Sequence, residues 1–133
     1  MVTLRQLITK NQKRLKKFHK CKTPALLGCP QKKGVITSII IIRPKKPNSA
    51  RRHIAKLYLS TGKKIRAAIP GGWDSKNKPL KKFSKVLVRG GRIRDIIGIR
   101  YKIILGKFDA NPLYKRKTSR SKYGVKQIYA MVY

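Results

Sequence analysis

The sequence predicts an all-β domain closed into a small five-stranded barrel, with a basic extension before it and a basic tail after it. Two observations carry the prediction. Five short stretches of β-branched and aliphatic residues recur between residues 35 and 105, separated by turns rich in Gly, Pro, Ser and Thr, and each has strand rather than helix length. No stretch shows a helical period long enough to cover an open sheet, so closure is the simplest way to dispose of its edges. Among small closed barrels the OB-fold is the natural candidate, a fold whose loops and one face commonly carry nucleic acid.

In chain order, residues 1–33 form the extension. Leu4, Leu7 and Ile8 share one helical face behind Thr3, an N-cap residue by type. After Lys10 the chain is dense in cations and broken by Pro24, Gly28, Pro30 and Gly34. It has too little apolar patterning for a core of its own, so it is either disordered or laid along nucleic acid and ordered by it. Leu26 and Leu27 are expected to anchor its far end. The barrel is expected over residues 34–110. Val35–Ile42 reads as a buried strand and Ile54–Leu59 as a half-buried one; Ser60-Thr61-Gly62 turns the chain into a third, Lys64–Ile69. Pro70-Gly71-Gly72 ends it. Residues 73–84 read as an irregular basic loop with Trp73 and Phe83 packing at its ends, ahead of strands at Lys85–Arg89 and Tyr101–Leu105. Residues 111–133 form a cationic tail with little periodicity.

Composition narrows the partner. Of 133 residues, 36 are Lys or Arg and three are acidic, a formal charge of +33. Self-repulsion on that scale opposes compaction, and a polyanion relieves it while releasing counterions from each phosphate. A membrane surface would ask for a long basic amphipathic helix, which the pattern lacks, and no apolar run has the length to span a bilayer. Cys21 and Cys29 have neither CxxC nor Cys/His spacing, so two reduced thiols are expected, without metal or disulfide. Asp74, Asp95 and Asp109 with His19 and His53 form no acid–base pair along the sequence, and Ser49 lies among cations rather than beside a base. There is no P-loop and no dinucleotide fingerprint. These features exclude an enzyme and call for no cofactor.

Two loops carry the binding signal. The first is Arg43-Pro44-Lys45-Lys46-Pro47-Asn48-Ser49-Ala50-Arg51-Arg52. Its prolines stiffen the backbone, Asn48 and Ser49 offer short hydrogen-bonding tips, and Lys45, Lys46, Arg51 and Arg52 surround them with charge. An ordinary hairpin connection with solvated lysines would explain the loop by itself; the composition of the whole chain decides for RNA. The wide minor groove of RNA shows 2′-hydroxyls within reach of short side chains. The second loop, Arg89 to Tyr101, pairs two glycines with Arg89, Arg92, Arg94 and Arg100, planar donors for phosphate. Asp95, its one acid, is expected to form an ion pair or turn cap that orders the arginines. The competing class, an architectural DNA-binding protein, should offer a recognition helix or minor-groove wedges, and neither is visible.

The strings TPALLGCPQKKGV (23–35), PKKPNSA (44–50), VLVRGGRIRDIIGIRY (86–101) and RSKYGVK (120–126) resemble, in order and spacing, the signature blocks of the small-subunit ribosomal protein S-twelve family. The resemblance implies an OB-type barrel at the subunit interface, its extension threaded through small-subunit rRNA, with other small-subunit proteins as neighbours. It implies that Pro47, Asn48 and Ser49 lie near the minor groove of the mRNA–tRNA decoding helix, and that Lys45, Arg94 and Asp95 face the decoding RNA. In the bacterial family these loops border the streptomycin site. The chain departs from the family where Arg94-Asp95-Ile96-Ile97-Gly98 replaces Lys-Asp-Leu-Pro-Gly, and where a basic stretch at 73–85 replaces a Gly-His-Asn-Leu-Gln-Glu-His-Ser block. Ile97, standing in for the proline, is expected to pack against the barrel or a neighbouring protein. The abundance of Ile, Lys and Tyr suits an A+T-rich coding sequence, so a mitochondrial ribosome is expected, with plastid or bacterial cytoplasm as alternatives. Met1 to Leu7 already resembles the family's start, and no transit peptide is expected.

Overall fold

The computed structural model describes residues 3–10, 21–71, 80–113 and 116–127. Helix α1 (Leu4–Lys10) opens as the sequence predicts. The Gln6 N–H donates to Thr3 Oγ1 at 3.4 Å and the Thr3 N–H to Gln6 Oε1 at 3.2 Å, a reciprocal capping box that satisfies two end donors. Leu4 and Ile8 stay exposed.

Five strands follow: β1 (Gln31–Ile42), β2 (Arg52–Leu59), β3 (Lys64–Ala68), β4 (Lys85–Gly90) and β5 (Tyr101–Ile104). They close in the order β1-β2-β3-β5-β4, so the expected OB-like barrel is the observed one. All pairings are antiparallel except β3 with β5, which meet in parallel at Ala67–Tyr101 and Ala68–Lys102. Closure depends on β1, whose first half pairs with β4 and whose second half pairs with β2. Gly34 and Val35 sit in both ladders. A Cβ on Gly34 would stand 2.7 Å from the Tyr58 carbonyl oxygen, too close for any other residue at this corner. A bulge between Ile36 and Ser38 then bends the strand, and Thr37 Oγ1 there donates to the Lys56 carbonyl at 3.0 Å.

Strand β1 begins four residues earlier than its apolar pattern. Gln31 to Lys33 carry no core-facing signal, and it is pairing with β4 that makes them strand. The preceding turn is also built into the domain. Pro24–Leu26 forms a 3-10 turn whose Ala25 and Leu26 are buried; the Ala25 N–H donates to Tyr101 Oη at 3.1 Å, and Thr61 Oγ1 donates to the Ala25 carbonyl at 3.2 Å. Leu26 therefore anchors the extension as expected. Leu27 does not: it takes the left-handed cap position, φ 50°, and faces solvent. Phe83 is a second departure, 70% exposed at φ 68°, because its backbone is claimed by a bond to the Ile36 carbonyl at 2.7 Å. Leu80 is buried in the core. Trp73 lies outside the described residues.

The tail is more than a charged appendage. A 3-10 turn at Arg120–Tyr123 folds back, the Leu113 N–H donates to the Tyr123 carbonyl at 3.2 Å, and Leu113 and Tyr123 pack on the main core. Gly124, at φ 71°, lies so near β5's exit that a Cβ would stand 2.6 Å from the Leu105 carbonyl oxygen.

Candidate nucleic-acid interface

The first loop joins β1 to β2 and the second joins β4 to β5, and the barrel brings both to one end. A separate apolar cluster lies beneath them. Ile54 of β2, Ala68 of β3, and Ile96 and Ile99 of the second loop are buried together, with Ile40, Ile42 and Ile93 against them. The second loop thus supplies its own plug, and burying it aims the intervening Arg94 and Asp95 outward. Gly91 N–H to the Arg100 carbonyl (3.0 Å) and Ile93 N–H to the Ile99 carbonyl (3.3 Å) close its neck.

Asp95 ties the loops together twice. Its carbonyl accepts the Lys45 N–H at 3.0 Å, and its carboxylate Oδ2 accepts from Arg52 Nη2 at 2.7 Å. The ion pair expected of Asp95 is present, but its partner belongs to the first loop rather than to the second loop's arginines. With the two side chains 48% and 23% exposed, it contributes at most about 1 kcal/mol. It sets orientation more than stability.

On this base the first loop makes a tight turn. The Asn48 N–H donates to the Lys45 carbonyl at 3.2 Å across a cis Lys46–Pro47 bond. Lys45, Lys46, Pro47, Asn48, Ser49, Arg51 and Arg52 are all exposed, as are Arg92 and Arg94. Beside this crest a pocket of about 360 Å³ gathers Arg51, Arg52, Arg92 and Arg94 with His53, Lys102 and Tyr123. Lys102 was not legible as a site residue, because it sits mid-strand in β5 and only the β3–β5 crossing carries it there. His53 lies near the start of β2. Two other candidates fall elsewhere. Arg89 is on β4, its Nη1 bent to the Gly90 carbonyl at 3.3 Å, and Arg100 lines a different groove on the barrel wall.

Ile97 reverses part of the expectation for the missing proline. It is 83% exposed and does not pack on the barrel; its neighbour Ile96 fills the cluster instead.

Fold and site together define a small OB-like barrel that presents two interlocked, strongly cationic loops at one end, with a single carboxylate engaged between them. A model of the ribosomal protein S12/S23 family matches residues 19–128, spanning both loops, the buried Pro24–Leu26 turn and the returning tail. The chain belongs to that family, and so is a structural, non-enzymatic constituent of the small ribosomal subunit. Its partners are those of a ribosomal protein, rRNA and other ribosomal proteins.

Proposed function

We propose that the paired loops meet small-subunit rRNA at the decoding site and support the accuracy of codon–anticodon selection. The observation that carries this reading is the double tie through Asp95 above the buried isoleucine cluster, which orients the two cationic loops as one surface while leaving Pro47, Asn48 and Ser49 exposed at its crest. Decoding demands discrimination by base-pair geometry rather than base identity. Short polar groups on a fixed base suit that task, because a hydroxyl and an amide held in place sense groove shape through 2′-hydroxyls, directly or through water. Arg51, Arg92 and Arg94 supply phosphate contacts that position the platform. Its energetic share is small: about 1.4 kcal/mol between correct and near-correct pairs is already tenfold in an equilibrium. The compositional bias towards Ile, Lys and Tyr supports a mitochondrial ribosome as the particle.

Reconstituted small subunits test the reading. Ser49→Ala should assemble normally and alter the ratio of cognate to near-cognate tRNA selection, while Arg51→Gln should weaken rRNA binding without changing that ratio. Assembly lost with Ser49→Ala, and selection unchanged in the particles that form, would make the loop a structural element only.

A further inference from the structure

The barrel wall beside the C-terminal end of the second loop carries a second basic surface. Tyr58 of β2 and Lys64 of β3 are direct cross-strand partners, as are Lys56 and Arg66. All four point outward from strands whose alternate residues, Leu57 and Ala67 among them, are buried. Together with Arg100 they line an open groove of about 900 Å³, floored at one side by the Pro24–Ala25 turn. Among the described residues no carboxylate lines it. Asp95, the one acid in the neighbouring loop, is committed to Arg52.

Tyr58 is the exception in this cationic wall. Its ring is 42% exposed on the outer face of the barrel. The Lys64 ammonium stands 5.1 Å from its centroid. The Lys64 pKa is held above the ordinary lysine value, chiefly by hydrogen bonding to the Tyr58 side chain and secondarily by its charge, with slight desolvation opposing. The lysine is solvent-exposed and stands beside the ring.

We infer that this groove binds an unpaired run of RNA, with one base stacked on Tyr58 and the flanking phosphates on Lys56, Lys64, Arg66 and Arg100. The inference rests on the rRNA-binding reading above and names a second contact surface for it. Single-stranded nucleic acid is the occupant that uses both features: cations track a backbone, and an aromatic ring accepts any base face. A duplex keeps its bases stacked on each other and gains only the charge. An acidic protein segment would use the lysines and arginines but has little call on the ring.

The test uses the full chain with a fluorescein-labelled ten-nucleotide oligouridylate and a ten-base-pair RNA duplex, titrated over a range of salt concentrations. Tyr58→Leu should weaken the single strand roughly 5- to 150-fold, the range for losing one base–aromatic stack. The duplex should be unaffected, and the slope of log affinity against log salt should be unchanged. Tyr58→Phe should bind as the parent does, since stacking uses the ring and not the hydroxyl. Arg66→Gln should reduce the salt slope by about one. In the parent protein, an oligonucleotide carrying 4-thiouridine should crosslink to the peptide containing Tyr58, a readout that needs no variant to fold.

Equal losses on strand and duplex, no loss on the strand, or absence of that crosslink would each overturn the inference. So would displacement of the oligouridylate by decaglutamate at matched charge, which would make the groove a seat for an acidic protein. If Tyr58 proves silent while Ser49→Ala still alters selection, only the groove falls. If the chain takes up no rRNA in reconstitution, the parent reading falls with it.

Discussion

The apolar plug packs the second loop on the strands that flank the first, the Arg52–Asp95 pair ties the loops directly, and their magnitudes predict which one holds them. Ile99 is 1% exposed within the cluster of Ile54, Ala68 and Ile96. Truncating a buried isoleucine to alanine costs roughly 2–5 kcal/mol, the lower end applying where the site can collapse. Here Ile40, Ile42 and Ile93 are only partly buried and can shift inward, so Ile99→Ala should cost about 2–3 kcal/mol. Asp95→Asn removes a partly exposed ion pair worth at most about 1 kcal/mol and leaves the backbone bond from Lys45 intact. The Lys45 amide, bonded to the Asp95 carbonyl at 3.0 Å, reports directly on separation of the loops. If the loops part as a local opening, Ile99→Ala should speed hydrogen exchange at Lys45 roughly 30- to 150-fold, and Asp95→Asn about fivefold or less. The assay is amide exchange on the free full chain, with β2 amides such as Ala55 as the internal reference. Comparable acceleration by the two variants would refute the reasoning, because the ion pair would then be the fastening and the isoleucines only filler.

Two further substitutions separate backbone from side-chain effects. Gly124→Ala places a Cβ 2.6 Å from the Leu105 carbonyl oxygen at φ 71°, so it should lower the melting temperature by several degrees and release the tail, with exchange at Leu113 rising first; an unchanged melt would remove the tail from the fold's stabilising parts. Ile97→Pro should leave the melting temperature within a degree or two, about 0.5 kcal/mol, because the side chain is exposed and its N–H has no partner within the described chain. A large loss would show that the loop's backbone cannot accept the fixed φ of proline.

Much of this architecture is local, and what is local is legible. Val35–Ile42 carries enough β-branched residues to declare a strand, Ser60-Thr61-Gly62 a turn, and Thr3 a cap, because each depends on residues a few positions apart. The charge of +33 likewise restricts the partner to a polyanion whatever the fold. The cationic loops were recognisable as strings for the same reason: their chemistry resides in consecutive side chains.

Closure decided the rest. Gln31 to Lys33 became strand only because β4 lies alongside, and the tail became part of the domain only because Gly124 and Gly106 let two backbones meet. Of the paired residues Ile96 and Ile97, no pattern tells which is the plug. The cluster around Ile54 and Ala68 takes in Ile96, and the chain's direction through the loop sends Ile97 to solvent. Asp95 reached Arg52, 43 positions away, rather than the nearer arginines of its own loop. The barrel also divided the arginines, collecting Arg51, Arg52, Arg92 and Arg94 at one end and turning Arg100 to the wall beside Tyr58. Sequence spacing specifies which residues are available, but proximity across strands is set by register and closure, and those are settled only when the whole apolar core is buried at once.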